Sequence, residues 1–381
     1  MRIAQVAPLF EAVPPVGYGG TERVVSYLTE ELVRCGHRVT LFASGDSRTD
    51  ARLVPVAARP LRARGVRADQ AHVELLRELD LVFARAEEFD LIHCHVDYEA
   101  FSRARLSRTP TLHTLHGRLD LPHLAAIYRE FDETPLVSIS QAQRTALAPL
   151  EVNWMSTVHH GLPLALYPYS PVVGDYLLFL GRISPEKRPD LAIEVAKRAG
   201  IRLKIAAKVD AADREYFARV IRAAMDHPLI EFLGEVDQPT KLPLLRGARA
   251  LIFPIDWPEP FGLVMIEAMA CGTPVVARPL ASVPEVVVDG HTGFLATSVD
   301  ELVEAVREVG RLDRAECRRH VEQRFSVQQM ATRYEAIYRR LVGAAHLAAA
   351  RTGGTKARAT VRESRGPHVP ARLSPSAPST G

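Results

Sequence analysis

PIDWPEPFGLVMIEAMACGTPVVA, residues 254–277, is the stretch on which the fold turns. An apolar run ends at Ile255 and a loop follows with Trp257 and two prolines. A helical stretch comes next, and a second apolar run covers Pro274 to Ala277. Strand, helix, strand in so short a span is a parallel βα unit, because parallel strands need a crossover connection. The helix is expected to begin at Pro260, whose missing N–H costs nothing there.

Outward from this stretch the same rhythm repeats. Strands are expected at Arg2 to Pro8, His37 to Ser44, Asp90 to Val96, Thr109 to Leu115, Pro135 to Ile139 and Ser156 to His160. A second set covers Tyr176 to Gly181, Arg202 to Ala207, Ile230 to Leu233, Ala250 to Ile255 and Pro274 to Ala277. The fold class is therefore α/β, with two doubly wound parallel sheets. Between the halves, Leu162 to Asp175 holds three prolines and no period, which marks the junction. The domains read as 1–165, with a returning helix at about 327–342, and 170–325. From Ala344 the chain turns to Ala, Arg, Gly, Ser and Pro, and 344–381 reads as a disordered tail.

The chain has 381 residues, 47% of them hydrophobic, which excludes global disorder. Its net charge of +3 is produced by the tail: residues 351–381 hold six basic residues and one acid, leaving −2 for the rest. Nucleic-acid binding by the folded part gains no support. Cys35, Cys94, Cys271 and Cys317 are far apart and form no CxxC pair, which argues against a disulfide framework and fits a cytoplasmic location. The N-terminal run, broken by Glu11 and prolines, reads as a first strand and not as a signal peptide.

The chemistry concentrates at strand ends. With a helix from Pro260, Glu259 and Glu267 would lie about 12 Å apart at ~1.5 Å per residue, close to the separation of the two sugars in a nucleotide-sugar. One carboxylate could accept hydroxyls of a transferred sugar and the other a ribose diol. The amides of Phe261, Gly262 and Leu263 would face a diphosphate, and Gly262 would let it approach. In LFLGRISPEK, Arg182 and Lys187 lie at a strand's carboxyl end and can neutralise a diphosphate leaving group without a metal. The loop with Gly17, Gly19 and Gly20 precedes a helix, but Glu22 stands where a nicotinamide fingerprint needs its third glycine. His116, followed by Gly117, would enter the cleft. His93 and His95 share a strand face without a third ligand, so no metal is expected. Hydrolase elbows and P-loops are absent from the sequence.

Together YGGTERVVSYLTEELVRCGHRVTLFAS, HTLHG, LFLGRISPEKRPD, EFLGEV, EPFGLVMIEAMACGTPVVA and SVPEVVVDGHTGFLA resemble the family 4 retaining glycosyltransferases over roughly residues 1 to 342. Most specific is the E-x(7)-E element from Glu259 to Glu267. The resemblance implies a GT-B fold: two facing Rossmann-like domains, an inter-domain cleft, donor mainly on the C-terminal side, acceptor mainly on the N-terminal side. It implies a nucleoside-diphosphate sugar co-substrate, no other cofactor and no covalent nucleophile. By position, Arg182 and Lys187 match the diphosphate clamp and Gly20 the glycine approaching the phosphates. Glu259 matches the carboxylate on the transferred sugar, Glu267 that on the ribose, and Phe261, Gly262 and Leu263 the helix-start amides. Gly234, Glu235 and Val236 lie where the base is lined, and His116 matches the active-site histidine. The family often has glycine where Arg188 and Leu280-Ala281 stand here.

The acceptor is left open among sugar, lipid and secondary metabolite. Arg59, Arg62, Arg64, Arg67, Arg103, Arg105 and Arg108 leave room for a weak peripheral membrane contact. They read more simply as solvated faces balanced by Glu74, Glu78, Glu87 and Glu88. A sugar-nucleotide-binding regulator or an epimerase on the same fold are the alternatives to transfer.

Overall fold

The computed structural model describes residues 1–363. The first domain is a seven-stranded sheet of β1 (Arg2–Val6), β2 (Arg38–Ser44), β3 (Arg52–Ala57), β4 (Leu91–Cys94), β5 (Thr111–Thr114), β6 (Leu136–Ser138) and β7 (Trp154–Thr157), in the order β3-β2-β1-β4-β5-β6-β7. The second has six strands, β8 (Tyr176–Arg182), β9 (Arg202–Lys208), β10 (Ile230–Gly234), β11 (Ala250–Phe253), β12 (Val275–Ala277) and β13 (Gly293–Leu295), in the order β10-β9-β8-β11-β12-β13. Every pairing is parallel.

Two strands escape the sequence reading, β3 and β13, and both are sheet edges. β3 contains Pro55, which an edge tolerates and a central strand does not. β13 is three residues long and opens on a glycine, too little for a periodic signal.

The helices that matter here are α1 (Gly20–Arg34), α2 (Ala68–Phe83), α3 (Gln238–Gly247), α4 (Leu263–Ala270), α5 (Arg314–Arg324) and α6 (Val327–Glu363). α4 begins at Leu263 and not at Pro260, because Gly262 takes φ 78° and acts as its N-cap. The chain from Glu259 to Gly262 is therefore not helical, and the 12 Å estimate from helical rise does not apply. α6 runs on past Val342, through a segment whose Ala-Ala-His-Leu-Ala-Ala-Ala composition favours helix and holds no proline to stop it. Residues 364–381 of the expected tail lie outside the described residues.

α6 returns to pack on α1 and β4. Tyr338 bonds His93 at 2.8 Å and Tyr334 bonds Thr114 at 3.0 Å, so both buried phenols have partners. At the crossing Phe325 is fully buried and Met330 nearly so, each worth about 1.5–3 kcal/mol. Glu285 reaches across to the amides of Gln141 (2.9 Å) and Ala142 (2.7 Å) and to His159 (2.9 Å). Those bonds hold its carboxyl below the ordinary range in spite of burial.

Strand order reverses between β1 and β4 in one sheet and between β8 and β11 in the other. Ligands bind outside the carboxyl ends of strands at such points. The segments leaving them are the Gly17–Gly20 loop, His95, Arg182 to Lys187 and Pro254 to Gly262.

Candidate active site

A cavity of about 200 Å³ and another of about 300 Å³ share Tyr18, Gly19, Gly20, Lys187, Glu259 and Gly262, so they form one cleft between the domains. The glycine loop spans it, with the Tyr18 amide donating to Glu235 Oε1 at 2.9 Å. Arg23 in α1 steadies the loop by donating to the carbonyls of Pro15 and Gly17. Val236 and Glu235 line the smaller cavity. Gly234 lines neither; its φ of 71° turns the chain at the end of β10.

Arg182 and Lys208 are register partners at the ends of β8 and β9, which brings two cations side by side. Lys208 was not singled out in the sequence; its signal is only that a parallel neighbour ends level with Arg182. Arg182 contacts Glu186 and lies 3.8 Å from Asp210 and 3.9 Å from Asp213. Lys208 lies 2.7 Å from Asp210 but is not aligned for a hydrogen bond. Arg182 Nε and Lys208 Nζ are both buried without a hydrogen-bond partner. The two cations thus have carboxylate neighbours in Glu186, Asp210 and Asp213 but keep donors that no hydrogen bond uses.

Lys187 and Glu259, read separately as clamp and sugar acceptor, are one ion pair. The indole N–H of Trp257 donates to the same carboxylate oxygen at 3.0 Å, and the ammonium lies 4.6 Å from the Trp257 ring centroid. With side chains only 13% and 10% exposed, neither partner can be removed cheaply. Leu263 and Val264 line the cavity at the start of α4, where first-turn amides have no partner within the helix. Phe261 lines the larger cavity but is only 2% exposed.

Glu267 is buried, and one of its oxygens accepts from both Lys241 (2.7 Å) and the hydroxyl of Tyr167 (2.8 Å). Tyr167 in turn meets Tyr27 at 2.9 Å. Burial lowers the Lys241 ammonium against the pull of Glu267. Lys241 and Arg23 line the smaller cavity and are, like Lys208, absent from the sequence reading.

His116 lines the larger cavity. Its Nε2 lies 2.9 Å from His95 Nδ1, while His95 Nε2 lies 2.8 Å from Gln5 Oε1. A carbonyl oxygen only accepts, so His95 Nε2 must donate to Gln5. Burial drives His95 well below its ordinary range and His116 down to about 3, so both are neutral. His95 Nδ1 is then an acceptor, His116 Nε2 donates to it, and His116 Nδ1 is left as a buried lone pair with no partner. His116 thus offers a hydrogen-bond acceptor and not a positive charge. His93 is held by Thr114 (2.7 Å) and Tyr338 (2.8 Å). Among the described residues no three His, Cys, Asp or Glu side chains group as metal ligands.

Most of the arginines flagged in the first domain meet carboxylates: Arg62 with Glu11, Arg64 with Glu74, Arg103 with Asp80, Arg105 with Glu130 and Glu133. Glu78 does not balance them. It is fully buried in α2 with both oxygens unpartnered, and burial pushes its carboxyl far up. Among the described residues no helix is long and apolar enough to cross a membrane.

Two family descriptions match the chain in tandem, Glycosyltransferase Family 4 over residues 18–171 and Glycosyl transferases group 1 over residues 172–324. The chain is 28% identical to the glycogen synthase of Mycobacterium tuberculosis, over 81% of this chain and 86% of that one. It is 28% identical to the D-inositol 3-phosphate glycosyltransferase of Mycolicibacterium smegmatis, over 74% and 76%. The crystal structure of Anabaena Alr3699/HepE in complex with UDP and glucose superposes with a TM-score of 0.69 at 19% identity, covering 88% of this chain and 98% of that one. The chain belongs to glycosyltransferase family 4, with the GT-B fold, and is a glycosyltransferase.

Proposed function

We propose that this glycosyltransferase moves a hexose from a nucleoside-diphosphate sugar to an acceptor hydroxyl, with retention at the anomeric carbon. The observation that carries the reading is the pair of buried, unpartnered donors, Arg182 Nε and Lys208 Nζ, close to Lys187 and the first-turn amides of α4. A diphosphate satisfies all of them at once.

In this reading the bond from the anomeric carbon to the diphosphate oxygen breaks, and its electron pair leaves with the nucleotide. The acceptor oxygen bonds the same carbon from the face being vacated, and its proton passes to the departing phosphate oxygen. The barrier is charge separation, so fixed cations at the diphosphate stabilise the transition state more than the ground state. Glu259 is a poor nucleophile because Lys187 and Trp257 already hold one of its oxygens. Its role is to receive sugar hydroxyls while keeping Lys187 in place. Glu267, fixed by Lys241 and Tyr167, receives the ribose diol, and Glu235 and Val236 border the base.

The Anabaena neighbour is solved with UDP and glucose, so uridine is the first base to test. Side-chain cations balance the diphosphate here, and EDTA is expected to leave donor binding unchanged. The test is calorimetric titration with UDP-, GDP- and ADP-glucose, followed by proton NMR of the product's anomeric centre. Binding of one nucleotide, retained in EDTA, with an α-linked product from an α-linked donor, supports the proposal. Binding without transfer or slow donor hydrolysis would favour the regulator, and a β-linked product would refute retention.

A further inference from the structure

A third hollow, of about 350 Å³, opens beside the donor cleft in the first domain and shares Thr21, His116 and Gly117 with it. That volume lies within the range of small-molecule sites. It is built where β1 and β4 diverge and α2 passes over them. Its walls are apolar, from Leu9, Phe10, Leu61 and Leu75, and its polar end holds Asp97 and Glu99. Among the described residues that line it there is no lysine or arginine. Arg62, which borders the adjoining cavity, is paired with Glu11 at 3.0 Å.

Two polar atoms of the lining residues are buried with nothing to bond: Glu99 Oε2 and His116 Nδ1. By the tautomer argument His116 Nδ1 is a lone pair. Both atoms are suited to hydroxyl hydrogens. An anion would instead be desolvated against Asp97 and Glu99, whose carboxyls burial already raises, Glu99 to about 7, and the lining offers it no lysine or arginine, only the exposed imidazole of His72 at the rim.

We infer that this hollow holds the acceptor, and that the acceptor is an uncharged hydroxylated ring bearing an apolar group, with Glu99 and His116 receiving its hydroxyls and the Leu9, Phe10, Leu61 and Leu75 wall covering the apolar part. The inference rests on the donor reading above, because what makes this hollow the acceptor's is its opening beside the reacting end of the donor. Phosphorylated and carboxylated acceptors are disfavoured, because the lining offers them no lysine or arginine. A plain sugar lacks the apolar half and binds more weakly.

The test titrates the full chain, saturated with UDP, with three probes: phenyl β-glucoside, phenyl β-glucoside 6-phosphate and glucose. Phenyl glucoside is expected to bind at least tenfold tighter than either of the others. Leu75→Arg, a substitution at a partly buried wall position, is expected to narrow the ratio of neutral to phosphorylated affinity by at least tenfold. Glu99→Gln, which replaces an acceptor oxygen with a donor, is expected to weaken phenyl glucoside by about tenfold. Ratios are taken within each variant, so a partly unfolded preparation does not change them. Equal or tighter binding of the phosphate, or an unchanged ratio in Leu75→Arg, overturns the inference while leaving UDP binding intact. Where GDP or ADP binds instead, that nucleotide replaces UDP in the titration; absence of binding by all three overturns the donor reading and this inference with it.

Discussion

Lys208→Met removes a cation that conventional motif reading overlooks, and its effect can be worked from the geometry. The ammonium is buried, faces no aligned acceptor, and lies level with Arg182 across β8 and β9. A hydrogen bond to a charged group contributes about 1.5–3 kcal/mol, and about 1.4 kcal/mol is a factor of ten, so donor affinity should fall roughly tenfold to a hundredfold. Two effects act in opposite directions. Asp210 loses its nearest cation and turns toward Arg182, which weakens the clamp further, whereas methionine keeps the apolar stem packed and limits structural loss. The assay is isothermal titration with the nucleotide diphosphate at two salt concentrations. A buried cation is screened little, so the loss should persist at 0.5 M salt. Unchanged affinity at both concentrations would refute the argument and return Lys208 to the role of a strand-end partner for Asp210.

Other perturbations have equally definite expectations. Lys187→Ala leaves Glu259 buried without its ion-pair partner and should cost about 3–5 kcal/mol of stability as well as donor affinity, whereas the double variant with Glu259→Gln should recover part of the stability; both are read from chemical melts. Glu78→Gln should stabilise the first domain, and the gain should grow with pH. A carboxyl raised in the fold favours the protonated form, so wild-type stability falls as pH rises from the unfolded value of about 4.3 toward the folded one, at up to about 1.4 kcal/mol per unit; a gain constant between pH 4 and 8 would count against it. Gly262→Ala places a Cβ 2.7 Å from Met265 Cε at φ 78° and should cost about 1–2 kcal/mol, with weaker nucleotide binding because the first turn of α4 shifts. Ala281→Gly, at φ 48°, should instead stabilise by several tenths of a kcal/mol, roughly the strain relieved less the entropy of glycine, measurable as a raised melting temperature.

The parts of the fold legible in the sequence were those carried by central strands. β8 up to Gly181 and β11 are continuous apolar runs, and β1 is one broken only by the buried Gln5, because both sheet faces are covered. Edge strands β3 and β13 escape because Pro55 is tolerated only at an edge, β13 is too short to show a period, and which strand is an edge is a fact about order in the sheet. The two departures from the glycine pattern gain a physical meaning only in three dimensions. Arg188 and Ala281 both occupy left-handed backbone, at φ 53° and 48°, where glycine is the unstrained residue. At Arg188 the guanidinium bonds Asp190 at 2.9 Å and approaches Asp256 at 3.4 Å, which helps offset that strain.

The candidate site shows the same division more sharply. Local motifs identified Arg182 after Gly181, Lys187 in the Pro185-Glu186-Lys187 turn, Glu259 between two prolines, and Glu267 by its spacing from Glu259 within an apolar flank. What each does with its charge depends on residues far away in the chain. Lys187 answers Glu259 and Glu267 answers Lys241, and Arg182 and Lys208 face Glu186, Asp210 and Asp213 while Arg182 Nε and Lys208 Nζ keep no hydrogen bond. In the proposed reading, neutral pairs would present carboxylates to sugar hydroxyls without repelling a diphosphate, and the donors that lack hydrogen bonds would meet it. A cleft of uniformly free cations would bind any polyanion. One in which the cations face carboxylates, and only two of their donors lack hydrogen bonds, would in the proposed reading confine anion binding to those two donors. The neutral His116 continues that pattern toward the hollow proposed for the acceptor, where Gln5 and His95 fix a lone pair and withhold a proton.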